Sequence, residues 1–264
     1  MVTAALGALI GLVLALTGAG GGVLAIPLLV FALHLPVQQA APVGLVAVGL
    51  ASALGAALGL RQGIVRYRAA GLIGATGMLV APLGVLLAQQ LPNRPLLGAF
   101  AIVLVYSAWR ILKRPSSNEI DPAGVPCHVS PTDHRLTWTR PCARALAGTG
   151  LVSGLMSGLL GVGGGFVIIP ALTRYTDLDP RSIQVTSLAV IALVSVSGVT
   201  AAAMQGVLPW HIAQPFALGA MVALLLGRQV AGKLDAKRLQ QAFAWFTLMV
   251  ALLMLARAFG WIVV

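Results

Sequence analysis

Two uncharged apolar stretches, Ala69–Leu91 and Ser182–Met204, constrain this chain more than any other feature in it. Each is longer than the roughly 20 residues a helix needs to cross a bilayer core about 30 Å thick. Only 9% of the 264 residues are charged, against roughly 25% in a soluble domain, and the charges collect in short loops between apolar segments. A water-soluble enzyme and a disordered chain are both excluded, and a polytopic helical membrane protein follows. The net charge of +11 fits basic loops that face lipid headgroups and set orientation. No basic stripe is interleaved with exposed aromatics, so no nucleic-acid partner is expected. Met1–Thr17 lacks the basic start of a cleavable leader, and this first apolar segment is expected to stay in the mature protein.

The chain matches itself at a shift of 143 residues. Gly18-Ala19-Gly20-Gly21-Gly22 falls on Gly161-Val162-Gly163-Gly164-Gly165, Pro27 on Pro170, Ser52 on Ser195, Gly55 on Gly198, and Gln62-Gly63 on Gln205-Gly206. Generic apolar similarity does not preserve Gly, Pro and Gln at one fixed offset. The chain reads as a tandem duplication: a first membrane repeat over 1–112, a linker over 113–143, and a second membrane repeat over 144–264. Each repeat holds four apolar segments, near 4–33, 38–60, 69–91 and 96–112 in the first, and 145–173, 182–204, 212–232 and 239–260 in the second. The first segment of each repeat is about 30 residues long and is broken in its middle by three consecutive glycines. Either it spans once at a tilt, or it is a re-entrant hairpin of two half-helices.

The distribution of Lys and Arg separates these two topologies. A spanning first segment puts 10 of the 17 basic residues on one face and 7 on the other. A re-entrant segment inverts the second repeat relative to the first and leaves only Arg94 and Arg257 outside, 15 against 2. The expected fold is therefore an all-α integral membrane protein of two inverted repeats, each a Gly-broken re-entrant hairpin plus three transmembrane helices. The linker is expected to lie in the cytoplasm. Discontinuous helices in inverted repeats are a recurrent secondary-transporter architecture.

All six acidic residues, Glu119, Asp121, Asp133, Asp177, Asp179 and Asp235, lie in loops or at segment ends. No carboxylate is left at membrane depth to bind a cation or relay a proton, so a site of neutral groups and helix ends suits an anion. The glycine clusters fit that chemistry. A broken helix exposes backbone N–H groups, its start carries partial positive charge, and glycine lets a ligand approach the amides. Gly20, Gly21, Gly22, Gly163, Gly164 and Gly165 are the candidate substrate contacts. The competing explanation for such glycines is close helix packing, which membranes also favour.

The pattern G-x-G-G-G followed by Pro, once per half, resembles the sulfite exporter TauE/SafE family, also called the four-toluene-sulfonate uptake permease family. Arg181-Ser-Ile-Gln-Val-Thr-Ser-Leu188 is similar to the family's Ala-x-Gly-Thr-Ser-type segment. The resemblance covers both halves and implies anion transport across the inner membrane, with sulfite, sulfoacetate and other organosulfonates as the substrate class. Alternating access is the implied mechanism, and a homodimer is left open as an assembly. Pro42-Val43-Gly44 stands where a second Thr-Ser pair belongs, so hydroxyl contacts would come from Thr186 and Ser187 alone. An anion channel and a non-transporting membrane scaffold are the alternatives.

Other residues draw structural readings. Pro27 and Pro170 shape the hairpins, and Gln62 and Gln205 are turn-formers with a candidate gating role. Ser52, Ser195 and Ser197 are mid-helix and are expected to bond their own backbone carbonyls. His34 and His211 read as interfacial. Cys127 and Cys142 define no disulfide framework and are expected to stay reduced in a cytoplasmic linker. With His128 and His134 they lack the paired spacing of a zinc site. No His-Glu-x-x-His, Gly-x-Ser-x-Gly or phosphate-binding Gly-Lys-Ser/Thr run is present, so neither an enzyme nor a cofactor is expected.

Overall fold

The computed structural model describes residues 2–17, 22–112, 126–127, 139–231 and 236–258. These form helices α1 (Val2–Thr17), α2 (Ala25–Ala32), α3 (Val37–Arg61), α4 (Tyr67–Gln90) and α5 (Asn93–Leu112), then α6 (Arg140–Leu160), α7 (Gly165–Tyr175), α8 (Pro180–Met204), α9 (Trp210–Ala231) and α10 (Ala236–Ala258). The limits of α3, moved by 143, are those of α8. Six of the helices are long and apolar enough to cross a membrane: α3, α4, α6, α8 and the segments Trp210–Gly227 and Gln241–Ala258. The chain is a multi-pass, all-helical membrane protein. The apolar pieces Val2–Ala15 and Gly22–Ala32 are shorter.

The largest helix contacts all join one half of the chain to the other. α1 lies on α9, α4 on α6, α3 on α8 and α5 on α10. Hydrophobic burial does not drive helices together in lipid, so small residues that admit close backbone approach must do it. Gly7 and Gly11 rest on the backbone of Phe216 and Ala220, and Gly150, Gly154 and Gly158 rest on Ile73, Gly77 and Ala81. The order of these contacts makes α1 run in the same direction as α9, and α4 in the same direction as α6. In contrast, Gly49 meets Ser195, Gly55 meets Leu188 and Gly59 meets Val185, so α3 and α8 are antiparallel.

The turns explain two sequence motifs. After α3, Gly63 (φ +68°) donates to Leu60 O and Ile64 donates to Gly59 O; after α8, Gly206 donates to Ala203 O and Val207 to Ala202 O. Both are Schellman ends, which satisfy the last helix carbonyls and need a residue in the left-handed region. Gln62 and Gln205 are the C-caps just before those glycines.

These turns sort the described basic residues by end. Arg61, Arg66, Arg68, Arg140, Arg144, Arg174 and Arg181 gather at one end of the bundle, and Arg94 and Arg257 stand at the other. At the arginine-rich end, Arg181 donates to Gln62 Oε1 at 3.2 Å. At the opposite end, Asn93 Oδ1 accepts from the Val37 N–H at 3.0 Å, and Arg257 donates to Val30 O at 3.2 Å.

The cysteines correct the sequence reading. α6 starts at Arg140, inside the segment assigned to the linker, because Thr139 caps it by accepting from the Cys142 N–H at 3.2 Å. Cys127 donates its N–H to Tyr175 O at 3.1 Å and bridges Thr176 at the end of α7. Cys127 is thereby held at the end of the α6–α7 pair, where it is joined to Cys142 in a disulfide. Their spacing of 15 residues carried no hint of this, because the contact depends on where α7 returns. The bond also removes both sulfurs from the candidate metal ligands; His128 and His134 lie outside the described residues.

Non-reducing peptide mapping of purified protein is expected to recover Cys127 and Cys142 in one cross-linked species. Reduction should lower the unfolding free energy by about 3 kcal/mol, the chain-entropy value for a loop of about 15 residues. Quantitative alkylation of both thiols in the native, unreduced protein would contradict the bond.

Candidate functional site

The second glycine cluster turns the chain from α6 into α7. Gly161, Gly163 and Gly164 have φ of +66°, +76° and +72°, a region that costs other L-residues about 1–2 kcal/mol each. Gly161 donates to Ser157 O at 2.7 Å to close α6, and the Val167 and Ile168 N–H groups bond back to Gly164 O at 2.9 and 3.1 Å to open α7. The amides of Gly165 and Phe166 thus belong to the helix start, where N–H groups precede the first intrahelical bonds and carry the positive end of the dipole. In the first half, Gly20 and Gly21 lie outside the described residues. Gly22 begins a 3₁₀ turn that leads into α2.

The two clusters meet. A methyl placed on Gly22 would lie 3.0 Å from both Val48 methyls and 3.2 Å from Val162 O. One on Gly163 would lie 2.7 Å from Ile191 Cγ2 and 3.3 Å from Val48 Cγ1. Val48 and Ile191 are equivalent under the 143-residue shift and sit at the middle of α3 and α8. Gly22 and Gly163 therefore both reach Val48, and Gly163 reaches Ile191 as well. The tips are also closely packed: Gly161 lies on the backbone of Ala41, and a methyl on Gly164 would stand 2.7 Å from Ser153 O. Close packing and amide presentation thus need the same residues. Val48 and Ile191 escaped the sequence reading because apolar residues in apolar helices carry no local signal.

The remaining candidates fall elsewhere. Pro27 and Pro170 sit inside α2 and α7. Thr186 and Ser187 lie on α8 at least one turn nearer the arginine-rich end than Ile191. The buried Thr186 Oγ1 accepts from the Arg66 N–H at 3.1 Å, tying the α3–α4 turn to α8. Arg66 corresponds to Pro209, which has no N–H, and Thr186 corresponds to Val43, which has no acceptor. The Arg66–Thr186 bond therefore has no counterpart under the 143-residue shift. Thr186 still has a hydroxyl proton to give, whereas Ser187 donates its own to Gln184 O at 2.8 Å.

Among the described residues no carboxylate lies at tip depth; Asp177 and Asp179 precede α8. Partial burial opposes ionisation of Asp179, but hydrogen bonds from the Ser182 N–H and hydroxyl, with the Arg66 charge nearby, hold its carboxyl below the usual value. As the cap of α8 it accepts from the Ser182 N–H at 3.0 Å. His34 and His211 are exposed at the arginine-poor end. There a cavity of about 570 Å³ is lined by Gln38, Gln39, Gln89, His211 and the α8–α9 turn. The equivalent positions at the other end include Arg66, Arg68 and Arg181.

The serines depart from expectation. Ser197 donates to Met78 O on α4 at 2.7 Å rather than to its own helix. Ser52 and Ser195 do not bond their own carbonyls, and their buried Oγ atoms have no hydrogen-bond partner among the described residues.

Comparison with known proteins adds a family. The sulfite exporter TauE/SafE family profile matches residues 3–254. Two curated relatives from Xylella fastidiosa, each described as a probable membrane transporter protein, are 26% identical to this chain. One, from strain Temecula1, aligns over 267 residues and the other, from strain 9a5c, over 264; each alignment covers 98% of this chain and 96% of the relative. No solved structure matches.

Alanine at two glycines separates strain from contact. Gly63→Ala meets a φ of +68° with nothing within 4 Å, whereas Gly163→Ala meets a φ of +76° and Ile191 as well. Thermal unfolding in detergent should show a loss of about 1–2 kcal/mol for Gly63→Ala and a larger one for Gly163→Ala. Part of the excess should return in Gly163→Ala/Ile191→Ala, which removes the Cγ2 that the new methyl would meet, when it is compared with the sum of the two single variants; equal losses for the two glycines would mean that the tip is not packed as described.

Proposed function

The chain belongs to the sulfite exporter TauE/SafE family of membrane transporters, and we propose on that footing that it is a secondary transporter moving a small anion, sulfite or an organosulfonate, across the inner membrane. The observation that carries this reading is the meeting of Gly22 and Gly163 at the midpoints of α3 and α8, at a depth where no described carboxylate stands. Two half-helix starts brought together there present amides and positive dipole ends to one anion. Gly20 and Gly21 complete the first tip in this reading. Gly164 and Gly165 supply the second, and Thr186 lies on the anion's approach with Ser187 beside it.

Inverted repeats underlie the mechanism. Supporting them, α3 and α8 are equivalent in the duplication yet pack antiparallel, as helices related by an axis in the membrane plane must. Re-entrant hairpins have similar support. α1 runs alongside α9 and in its direction, so α2 has to double back to reach the start of α3. Alternating access then consists of one repeat rocking against the other, with Pro27 and Pro170 bending the hairpins and the Gln62 and Gln205 turns as pivots. Positive-inside orientation puts the arginine-rich end, with the linker, in the cytoplasm.

Transport is tested by uptake of labelled sulfite into proteoliposomes, with and without sulfoacetate on the trans side, beside Gly164→Leu. The assay uses a Cys127→Ser/Cys142→Ser background, so that sulfite has no disulfide to cleave in any unfolded fraction. Saturable uptake that Gly164→Leu abolishes is the expected result. Non-saturating flux would mean a channel, and absence of flux for sulfite and sulfonates alike would reject the substrate class.

Orientation has its own test in the same background. Arg68→Cys should be shielded from an impermeant external thiol reagent and His211→Cys should be labelled; the reverse pattern would turn the protein over in the membrane.

A further inference from the structure

Hydroxyls inside apolar helices ordinarily satisfy themselves. Here Thr76 donates to Leu72 O at 2.9 Å, Ser107 to Val103 O at 2.8 Å, and Thr149 to Ala145 O at 2.8 Å. Thr200 and Thr247 do the same, each at 2.7 Å to the carbonyl four residues back. Three serines stand apart. Ser52 and Ser157 are 0% exposed and Ser195 is 3% exposed, and among the described residues their Oγ atoms have no partner.

All three surround the glycine tips. Ser52 follows Val48 by one turn of α3, and Ser195 follows Ile191 by one turn of α8, so each shares the helix face that touches a tip. The two positions are equivalent in the duplication. A methyl on Gly49 would lie 3.0 Å from Ser195 Oγ, which puts this hydroxyl at the crossing of α3 and α8. Ser157 lies one turn before Gly161 on α6 and one turn after Ser153, whose side chain meets Gly164.

A buried hydroxyl without a partner loses its hydration for nothing in return. One such group is a packing compromise, but three near the glycine tips, two of them related by the repeat, are a set. Self-bonding was available to each, one helical turn away, and elsewhere in the same membrane helices it is taken. We infer that Ser52, Ser157 and Ser195 are hydrogen-bond donors to the transported anion, and that the set selects a head group with three oxygens, as in sulfite or a sulfonate. The inference rests on the transporter reading above and adds the side chains that the glycine amides alone do not supply. Neutral donors suit a carried ion, because they replace its water without the ion pair that would hold it in place. A carboxylate has lone pairs for three donors but only two oxygens in one plane, so two of the three hydroxyls must share one oxygen, and it is disfavoured for that reason.

The test uses the full-length chain, in the background lacking both cysteines, with Ser52→Ala, Ser157→Ala and Ser195→Ala made singly. Thermal unfolding without anions is measured beside the concentration dependence of sulfite and methanesulfonate uptake, with acetate as competitor. Removing an orphan hydroxyl relieves a cost of folding, so the melting temperature should hold or rise. Loss of a hydrogen bond to a charged group should raise the half-saturating concentration of sulfite and methanesulfonate about tenfold per serine. Acetate should compete poorly against wild type. Unchanged half-saturation in all three variants, with wild-type flux intact, overturns the inference and leaves the transporter reading standing. Variants that lose stability and flux together would show the hydroxyls to be structural and also overturn it. Wild-type liposomes with no saturable flux of either anion overturn both readings.

Discussion

The rest of this structure depends on how closely α3 and α8 approach at their midpoints. Gly49, Gly55, Gly59 and Gly198 admit Ser195, Leu188, Val185 and Leu45 of the opposing helix. In lipid that approach, and not exclusion of water, is what holds helices together. Because the two helices are antiparallel and centred on each other, Val48 meets both Gly22 and Gly163, which lie far apart in sequence, and Ile191 meets Gly163 beside it. Broken backbone at membrane depth survives only where protein covers it, and this crossing provides the cover. α1 on α9 and α4 on α6 repeat the device on either side.

Glycine therefore has two tasks at the tips that are hard to separate. Positive φ at Gly161, Gly163 and Gly164 turns the chain, and the missing side chains let the turn sit against α3 and α8. Amide presentation follows from the same geometry without added residues. The unpartnered serines are different, since packing does not require a hydroxyl there.

Charge and sulfur meet at the arginine-rich end. The excess of arginine suits a cytoplasmic face, whereas disulfides persist mainly in oxidising compartments. The burial of Cys127 and Cys142, 0% and 1% exposed, bears on both. Thiol–disulfide exchange requires a thiolate to reach the sulfur, so a bond sealed between the linker and the α6–α7 end is protected from soluble reductants. That burial comes from the Cys127–Thr176 bridge and the Thr139 cap, which are features of the folded end and not of the linker's composition.

Much was legible from the residues alone, because the bilayer allows few solutions. Apolar runs longer than a membrane crossing fixed the class, and the 143-residue offset predicted that α3 and α8 would share limits. The sorting of arginines to one end could be counted from loops. Glycines and prolines marked where helices break, since those residues act on the backbone locally. What the sequence could not reveal was every feature that depends on two distant segments arriving at one place. The contacts of Val48 and Ile191 with the glycines, the disulfide, and the Thr186–Arg66 bond are all of this kind. So is the failure of Ser52 and Ser195 to bond their own helices, contrary to local expectation. Periodicity and spacing report what a residue does to its own helix; which groups meet across helices is set by packing, and only the tertiary structure decides it.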